Sequence, residues 1–263
     1  MSSEPHVAKL NTALVVAGST VGRLDAVRYV EQVSYLAQGE PKLHHGFLLD
    51  SQNPFKGKLG LRIAEALQNE RVETTLLTRL DLLKGETHSL APERLRGFFT
   101  FQDLEQALPR VIEEVAPDII FMAAAVSDYV PTAIHGVSEA AQAGKISSDL
   151  GKLVVEFSPT PKLLDRIRPL VGWTTTIVGF KLLVNVSEEA LRDAALRQMV
   201  RADTDFCVGN DFGEMNAQTN VHPVRLYNKA GDFLRYVGSK EEVAVEIVRE
   251  VAAGHEATKC FHS

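Results

Sequence analysis

PDIIFMAAAVSDYVP, residues Pro117–Pro131, runs four consecutive apolar side chains, Ile119–Met122, into three alanines, a serine and an aspartate. The apolar run has the length and character of a strand buried on both faces, as in parallel sheets. The small residues fall where such a strand ends, which is where ligands bind in open α/β sheets. Alanine leaves room for a ligand to lie against the backbone. Asp128 stands beside that room as a hydrogen-bond acceptor.

The flanking sequence repeats the same alternation. TALVVAG (from Thr12), VETTLLT (from Val72), KLVVEFS (from Lys152), TTTIVGF (from Thr174) and TDFCVG (from Thr204) read as strands. KLGLRIAEALQNE, FQDLEQALPRVIEEV and SEEALRDAALRQMV have the three-and-four spacing of amphipathic helices. TPKLLDRIRPLV reads as a further helix, opened by Thr160 as cap and by Pro161. Val21–Leu36 has helix-like spacing behind a loop-like start, and HHGFLLD reads as a short strand. VRLYNKAGDFLRYVG is a hairpin by its Asn-Lys-Ala-Gly centre, and SKEEVAVEIVREVAA closes the chain as a helix. Strands alternating with helices predict a Rossmann-like, doubly wound α/β fold with a mainly parallel sheet and a β-hairpin extension. Arg79–Arg96 and Thr132–Gly144 are long connections, candidate flaps. No Pro/Gly-rich linker divides the chain, so residues 1–263 are expected to form one domain.

Composition narrows the function. A formal net charge of −6 argues against a general nucleic-acid binder. The start, MSSEPHVAKLN, lacks the apolar stretch of a secretory signal, and no apolar run has bilayer-spanning length. Cys207 and Cys260 have no metal or redox spacing. A cytoplasmic protein with free thiols and no membrane partner is expected. His44 and His45 have no ligand partner at metal spacing and read as loop residues.

The unusual residues gather at the expected strand ends. Gly18, Ser19 and Thr20 form a turn that can bring phosphate close to backbone amides, and they read equally as an ordinary tight turn. Phe180 and Lys181 end another strand, where Phe180 is either a stacking surface for a base or simply core. Arg197 and Arg201, four apart on one helix face, either clamp an anion or form a solvated pair. Tyr236 and Lys240 in YVGSK mimic the Tyr-x-x-x-Lys pair of NAD(P)-dependent oxidoreductases. That pair contains a glycine and follows a hairpin, where the oxidoreductase pair needs a helix face.

In order along the chain, AAAVSDYVP, GKISS, TPKLL, GFKLLVNVSEEAL and VGND resemble phosphopantothenate–cysteine ligase, particularly its stand-alone bacterial form. The match covers roughly Ala123–Asp211. In the first half AGST...LDAVR resembles the family's GGT...D.VR, with Ser19 in place of a glycine and Gly22 in place of a glutamate. NPFKGKLG resembles N.SSGKMG, departing at Pro54, Phe55 and Lys56, and residues 31–51 form an extra stretch that the family mostly lacks.

The resemblance implies an enzyme of coenzyme A biosynthesis that joins 4′-phosphopantothenate to cysteine through an acyl nucleotidylate. CTP or ATP is the implied co-substrate, with Mg²⁺, and a homodimer the implied assembly. It puts Asn53 and Lys145 on the catalytic positions and Arg197 and Arg201 on the triphosphate. Gly18, Ser19, Thr20, Ala124, Ala125, Asp128, Pro161, Leu164, Phe180, Lys181 and Asn210 fall at the nucleotide, with Phe180 and the Pro161–Leu164 turn as walls of the base pocket. Three other readings stay open: a relative acting on another acid, an NAD(P)-dependent oxidoreductase, and a nucleotide-binding pseudoenzyme.

Overall fold

A computed structural model describes residues 10–23, 29–36, 43–49, 57–138, 146, 151–216 and 218–262. The opening stretch supplies the central strands. β7 (Ile119–Met122) lies parallel to β1 (Thr12–Ala17), with Ala13 opposite Ile119 and Val16 opposite Met122. β5 (Glu73–Thr78) flanks β1 on its other side, also parallel, and β6 (Leu95–Gly97) adds a short parallel edge to β5. Beyond β7 come β10 (Thr176–Leu183) and β11 (Phe206–Asp211), both parallel. The hairpin of β12 (Val224–Asn228) and β13 (Phe233–Tyr236) closes the sheet antiparallel, giving the order β13-β12-β11-β10-β7-β1-β5-β6.

Alternation along each strand sends side chains to two helical layers. Ala13, Val15, Phe121, Val178 and Val208 pack with α1 (Lys58–Asn69) and α5 (Lys240–His262). Leu14, Val16, Ile120 and Ile177 pack with α2 (Phe101–Val115) and with α3 (Ile167–Val171) on the opposite face. α4 (Glu188–Ala202) covers Cys207 and Tyr227 through Leu191, Ala195 and Met199. Cys207 alternates with Val208, so α4 shares the α2 face. The fold is thus Rossmann-like and doubly wound, as the sequence predicts. α2 and α4 start at the residues where their capping chemistry puts them: Thr100 and Asp103 form a reciprocal capping box, and the Ser187 hydroxyl accepts from Ala190 N.

Three sequence expectations need correction. Within Val21–Leu36 the described residues form strands and no helix: β2 (Gly22–Arg23) and β3 (Tyr29–Leu36), and β3 pairs antiparallel with β4 (Leu43–Leu49), the strand expected from HHGFLLD. Thr160–Val171 is not one capped helix, because a 3₁₀ turn at Leu163–Arg166 precedes the five-residue α3. The Thr160 hydroxyl caps nothing there; it donates to Ser127 O at 2.6 Å. Part of the connection that begins at Thr132 is strand, since β8 (Tyr129–His135) pairs antiparallel with β9 (Val154–Pro159) as a separate two-stranded sheet. KLVVEFS is therefore a strand outside the main sheet. The Arg79–Arg96 connection holds two 3₁₀ turns, at Leu80–Leu83 and Pro92–Arg94, and the first residues of β6.

Candidate active site

The carboxyl ends of β1 and β7 are laced together by side chains as well as by backbone. Ala125 N donates to Gly18 O at 2.8 Å, and Thr20 N donates to Ala125 O at 3.2 Å. Ser127 N donates to the Thr20 hydroxyl at 2.8 Å, while the Ser127 hydroxyl donates back to Thr20 O at 3.0 Å. Ser19 and Thr20 are buried, so this turn faces inward with its hydroxyls and is not a row of polar side chains offered to a ligand. Ala125 is exposed and Ala124 half-buried. The small residues thus do two things: they let the two strand ends approach, and at Ala125 they leave an open surface without bulk.

The start of α1 presses on the same turn. Gly57 has φ +70°, and a Cβ there would lie 2.4 Å from Gly18 N. A Cβ on Gly60 would lie 2.5 Å from Ala17 Cβ. Only glycine allows both the left-handed conformation at Gly57 and this approach of helix to strand. The free amides of the first turn of α1 therefore sit at the crevice between β1 and β7, the point where the winding of the sheet reverses. Arg79, buried at the end of β5, lines the other flank. It forks onto Asp81 at 3.1 and 2.6 Å and lies 4.8 Å over the Phe99 ring.

The remaining expected site residues divide between the two faces. Asp128 is exposed and pairs with Lys162, one residue past the exposed Pro161. Leu164 packs with the α2-face core, while Phe180 packs with the α1/α5-face core. The two side chains stand on opposite faces of β10, so the shared wall expected of them is not what the structure shows. Strand alternation is the reason: Phe180 is two residues from Val178 and points the same way. Lys181 points to the α4 face, near the buried Cys207 thiol, which burial pushes up to about 12. Arg197 and Arg201 line a surface depression of about 500 Å³ on the exposed side of α4, and Arg201 holds Asp165 with Nε at 3.0 Å. Both lie in the second half of α4, toward the amino ends of the strands. Asn53 and Lys145 lie outside the described residues.

Asn210, at the end of β11, is buried, and its amide is engaged inside the protein. Nδ2 lies 3.3 Å from His222 Nε2 and donates to Pro223 O at 3.3 Å. Burial, with Lys240 nearby, pushes His222 down to about 4. Asp211 next to it accepts from Asn185 N at 2.8 Å, Val186 N at 3.0 Å and Gly213 N at 2.8 Å, fastening the β10–α4 turn to the end of β11. Beneath this, buried Arg225 pairs with Glu188 and Glu214, and the Tyr227 hydroxyl donates to Glu188 at 3.1 Å. Sequence reading missed His222, Lys162 and the work of Asp211, although TPKLL and VGND contain the last two. Tyr236 and Lys240 do not form an oxidoreductase pair. The Tyr236 hydroxyl interacts with Arg249, Glu246 and Glu250, well along α5 from Lys240.

A doubly wound sheet with its crevice at the β1/β7 switch, a helix start pressed onto the first turn and an antiparallel hairpin at one edge defines a Rossmann-like α/β domain. Residues 51–255 match the DNA/pantothenate metabolism flavoprotein C-terminal domain family, and the chain belongs to it. The chain is 30% identical over 210 residues, 79% of its length, to the coenzyme A biosynthesis bifunctional protein CoaBC of Thermococcus kodakarensis, of which it spans 43%. The crystal structure of the DNA/pantothenate metabolism flavoprotein from Streptococcus pneumoniae matches 93% of this chain and 100% of its own, with TM-score 0.70 and 23% identity. A Cab2 mutant in complex with phosphopantothenate-cysteine matches 96% of this chain and 88% of its own, with TM-score 0.62 and 19% identity. At these identities the two structures show the fold. Among the described residues, no helix is long and apolar enough to cross a membrane.

Proposed function

We propose that the chain is a phosphopantothenate–cysteine ligase acting in coenzyme A biosynthesis. The observation that carries the reading is the family match across residues 51–255. A carboxylate oxygen of 4′-phosphopantothenate attacks the α-phosphorus of CTP or ATP, and the bond to the β-phosphate breaks to release pyrophosphate. The cysteine amine then attacks the acyl carbon, the carbon–oxygen bond to the nucleotide breaks, and the nucleoside monophosphate leaves as the amine loses a proton. Mg²⁺, where bound, would offset the negative charge of the triphosphate.

In this reading the first turn of α1 and the Gly18–Thr20 backbone receive phosphate, the Ala124–Ala125 surface admits the nucleotide, and Asp128 accepts from its polar groups. Lys145 offsets the charge that develops at the α-phosphorus, and Asn53 orients the acyl carbonyl toward the amine. Arg197 and Arg201 serve the triphosphate. Their position on α4 leaves them able to act only on a ligand that runs over the α4 face. The assembly in this reading is a homodimer, which light scattering checks. The decisive assay is pyrophosphate release with phosphopantothenate, cysteine and each nucleotide in turn. Release should require the acid. Lys145→Ala should abolish it, and Asn53→Asp should give one burst and then turn over slowly. The absence of release with both CTP and ATP would overturn the reading, and release with a different acid alone would move the substrate.

A further inference from the structure

α4 turns one polar side chain into an otherwise apolar face. Its buried residues are Leu191, Ala195, Gln198, Met199 and Ala202, and Gln198 is 9% exposed. A buried carboxamide is costly where its polar atoms lack partners. Gln198 satisfies one end: Nε2 donates to the backbone oxygen of Phe180 at 3.2 Å. Among the described residues no donor reaches Oε1, and that oxygen is not sealed from solvent.

Two features of β10 bring the carboxamide to the carboxyl edge. Gly179 lies beneath it: a Cβ there would be 2.6 Å from Gln198 Nε2 and 3.3 Å from Leu164 Cδ2. Glycine weakens a strand interior, and here it makes room for the Gln198 side chain to cross β10. The Phe180 oxygen is available because β7 has ended. Val178 pairs with Phe121, so Phe180 stands level with Ala123, one residue past β7. Thr176 N donates to Asp118 O, so the backbone of Thr176, and by alternation that of Phe180, faces the β7 side. Past Met122 no strand takes up the Phe180 oxygen, and Gln198 does so instead. The carboxamide is thereby held beside Leu164, on the face of the sheet where Ala124 also packs. Its direction is fixed as well. With Nε2 anchored on a carbonyl, the outward end is an acceptor, and turning the amide over would set Oε1 against Phe180 O.

We propose that Gln198 reads the nucleotide base, its Oε1 accepting a hydrogen bond from an exocyclic amino group, cytosine N4 or adenine N6. The inference rests on the ligase reading, which makes the Pro161–Leu164 turn a wall of the base pocket. An oxo group in the same place, as in uracil or hypoxanthine, would put two acceptors face to face. The site therefore selects amino bases over their oxo counterparts.

The test is calorimetry on the whole protein, on Gln198→Met and on Gly179→Ala, with CTP, UTP, ATP and ITP as separate probes and no acid or cysteine present. In the pair that the pocket admits, CTP with UTP or ATP with ITP, the amino nucleotide should bind about three- to tenfold more tightly. Gln198→Met, close in size but without the amide oxygen, should weaken the amino nucleotide by about that factor and bring the pair within about twofold. Gly179→Ala keeps the acceptor but displaces the carboxamide, and should lose the same selectivity; it decides the matter if Gln198→Met does not fold. A glutamine kept only for packing, or only to hold Phe180, would lower the melting temperature when replaced and leave the amino-to-oxo ratio unchanged, which overturns the proposal. Equal affinity of the unaltered protein for both members of each pair overturns it too, as does no binding of any of the four. Amino-selective binding in a protein that releases no pyrophosphate with phosphopantothenate would uphold the site and refute the ligase reading. Pyrophosphate release supported equally by all four nucleotides would uphold the ligase and refute the role of Gln198.

Discussion

Replacing Gly57 and Gly60, one at a time, measures how closely α1 is pressed onto β1. A Cβ at Gly57 meets the backbone of Gly18 at 2.4 and 2.8 Å, well inside the 3.4 Å at which ordinary contact begins. The residue also holds φ +70°, which costs an alanine about 1 kcal/mol or more. Backbone cannot rotate away as a side chain can, so overpacking adds about 1–3 kcal/mol, and the stiffer unfolded chain returns less than about 1 kcal/mol. Gly57→Ala should therefore cost about 2–4 kcal/mol, roughly 5–15 °C in a chain of this size. Gly60→Ala meets Ala17 Cβ at 2.5 Å, a single methyl, and gains about 1 kcal/mol of helix propensity. Its net cost should be about 0–2 kcal/mol, and Ala17→Gly should relieve the clash, leaving the double variant more stable than the two single costs imply. Urea titration and thermal melts of the parent and the four variants give the answer. A Gly57→Ala melting temperature within about 2 °C of the parent, or strict additivity of Ala17→Gly and Gly60→Ala, would refute the close approach.

Thr20→Val removes the hydroxyl that Ser127 N donates to and leaves that buried amide unsatisfied, which should cost about 1–3 kcal/mol and speed hydrogen exchange at Ser127; an unchanged exchange rate would show that the lacing is not holding the loops. The His222 pKa lies at about 4, below the ordinary 6.5, so the unfolded chain binds the proton first. The contribution of this histidine is complete above pH 6.5 and is lost as pH falls toward 4, up to about 3 kcal/mol in all. Urea midpoints across that range should fall less steeply in His222→Gln than in the parent, and parallel curves would exclude a buried neutral histidine.

The parallel sheet was legible because its strands are short apolar runs ended by glycine or alanine, and α2 and α4 because their spacing and caps agree. Where two periods coincide, the reading failed. Val21, Leu24, Val27, Val30 and Val33 recur every third residue, which a helix explains, yet Tyr29, Val30, Val33 and Tyr35 are aromatic and β-branched residues that suit the strand that forms. Pro161 suggested a helix start, but Pro169 lies only eight residues on, and the chain between them makes a 3₁₀ turn before α3. At the candidate site the strand ends were found from composition alone. The facing of Phe180 and Leu164 was not, because motif order carries no record of which face of β10 each one meets.

Asp211 receives three amides from two different loops, and that bears on how quickly the edge can be used. A loop that must order around its ligand loses conformational freedom at the moment of binding, which weakens the complex and slows productive encounter. Here Asn185, Val186 and Gly213 are already fixed to one carboxylate at the end of β11. The β10–α4 turn is consequently in place before a ligand arrives. Association at this end of the sheet should be governed by diffusion and charge, while the lifetime of the complex is set by the contacts the ligand itself makes.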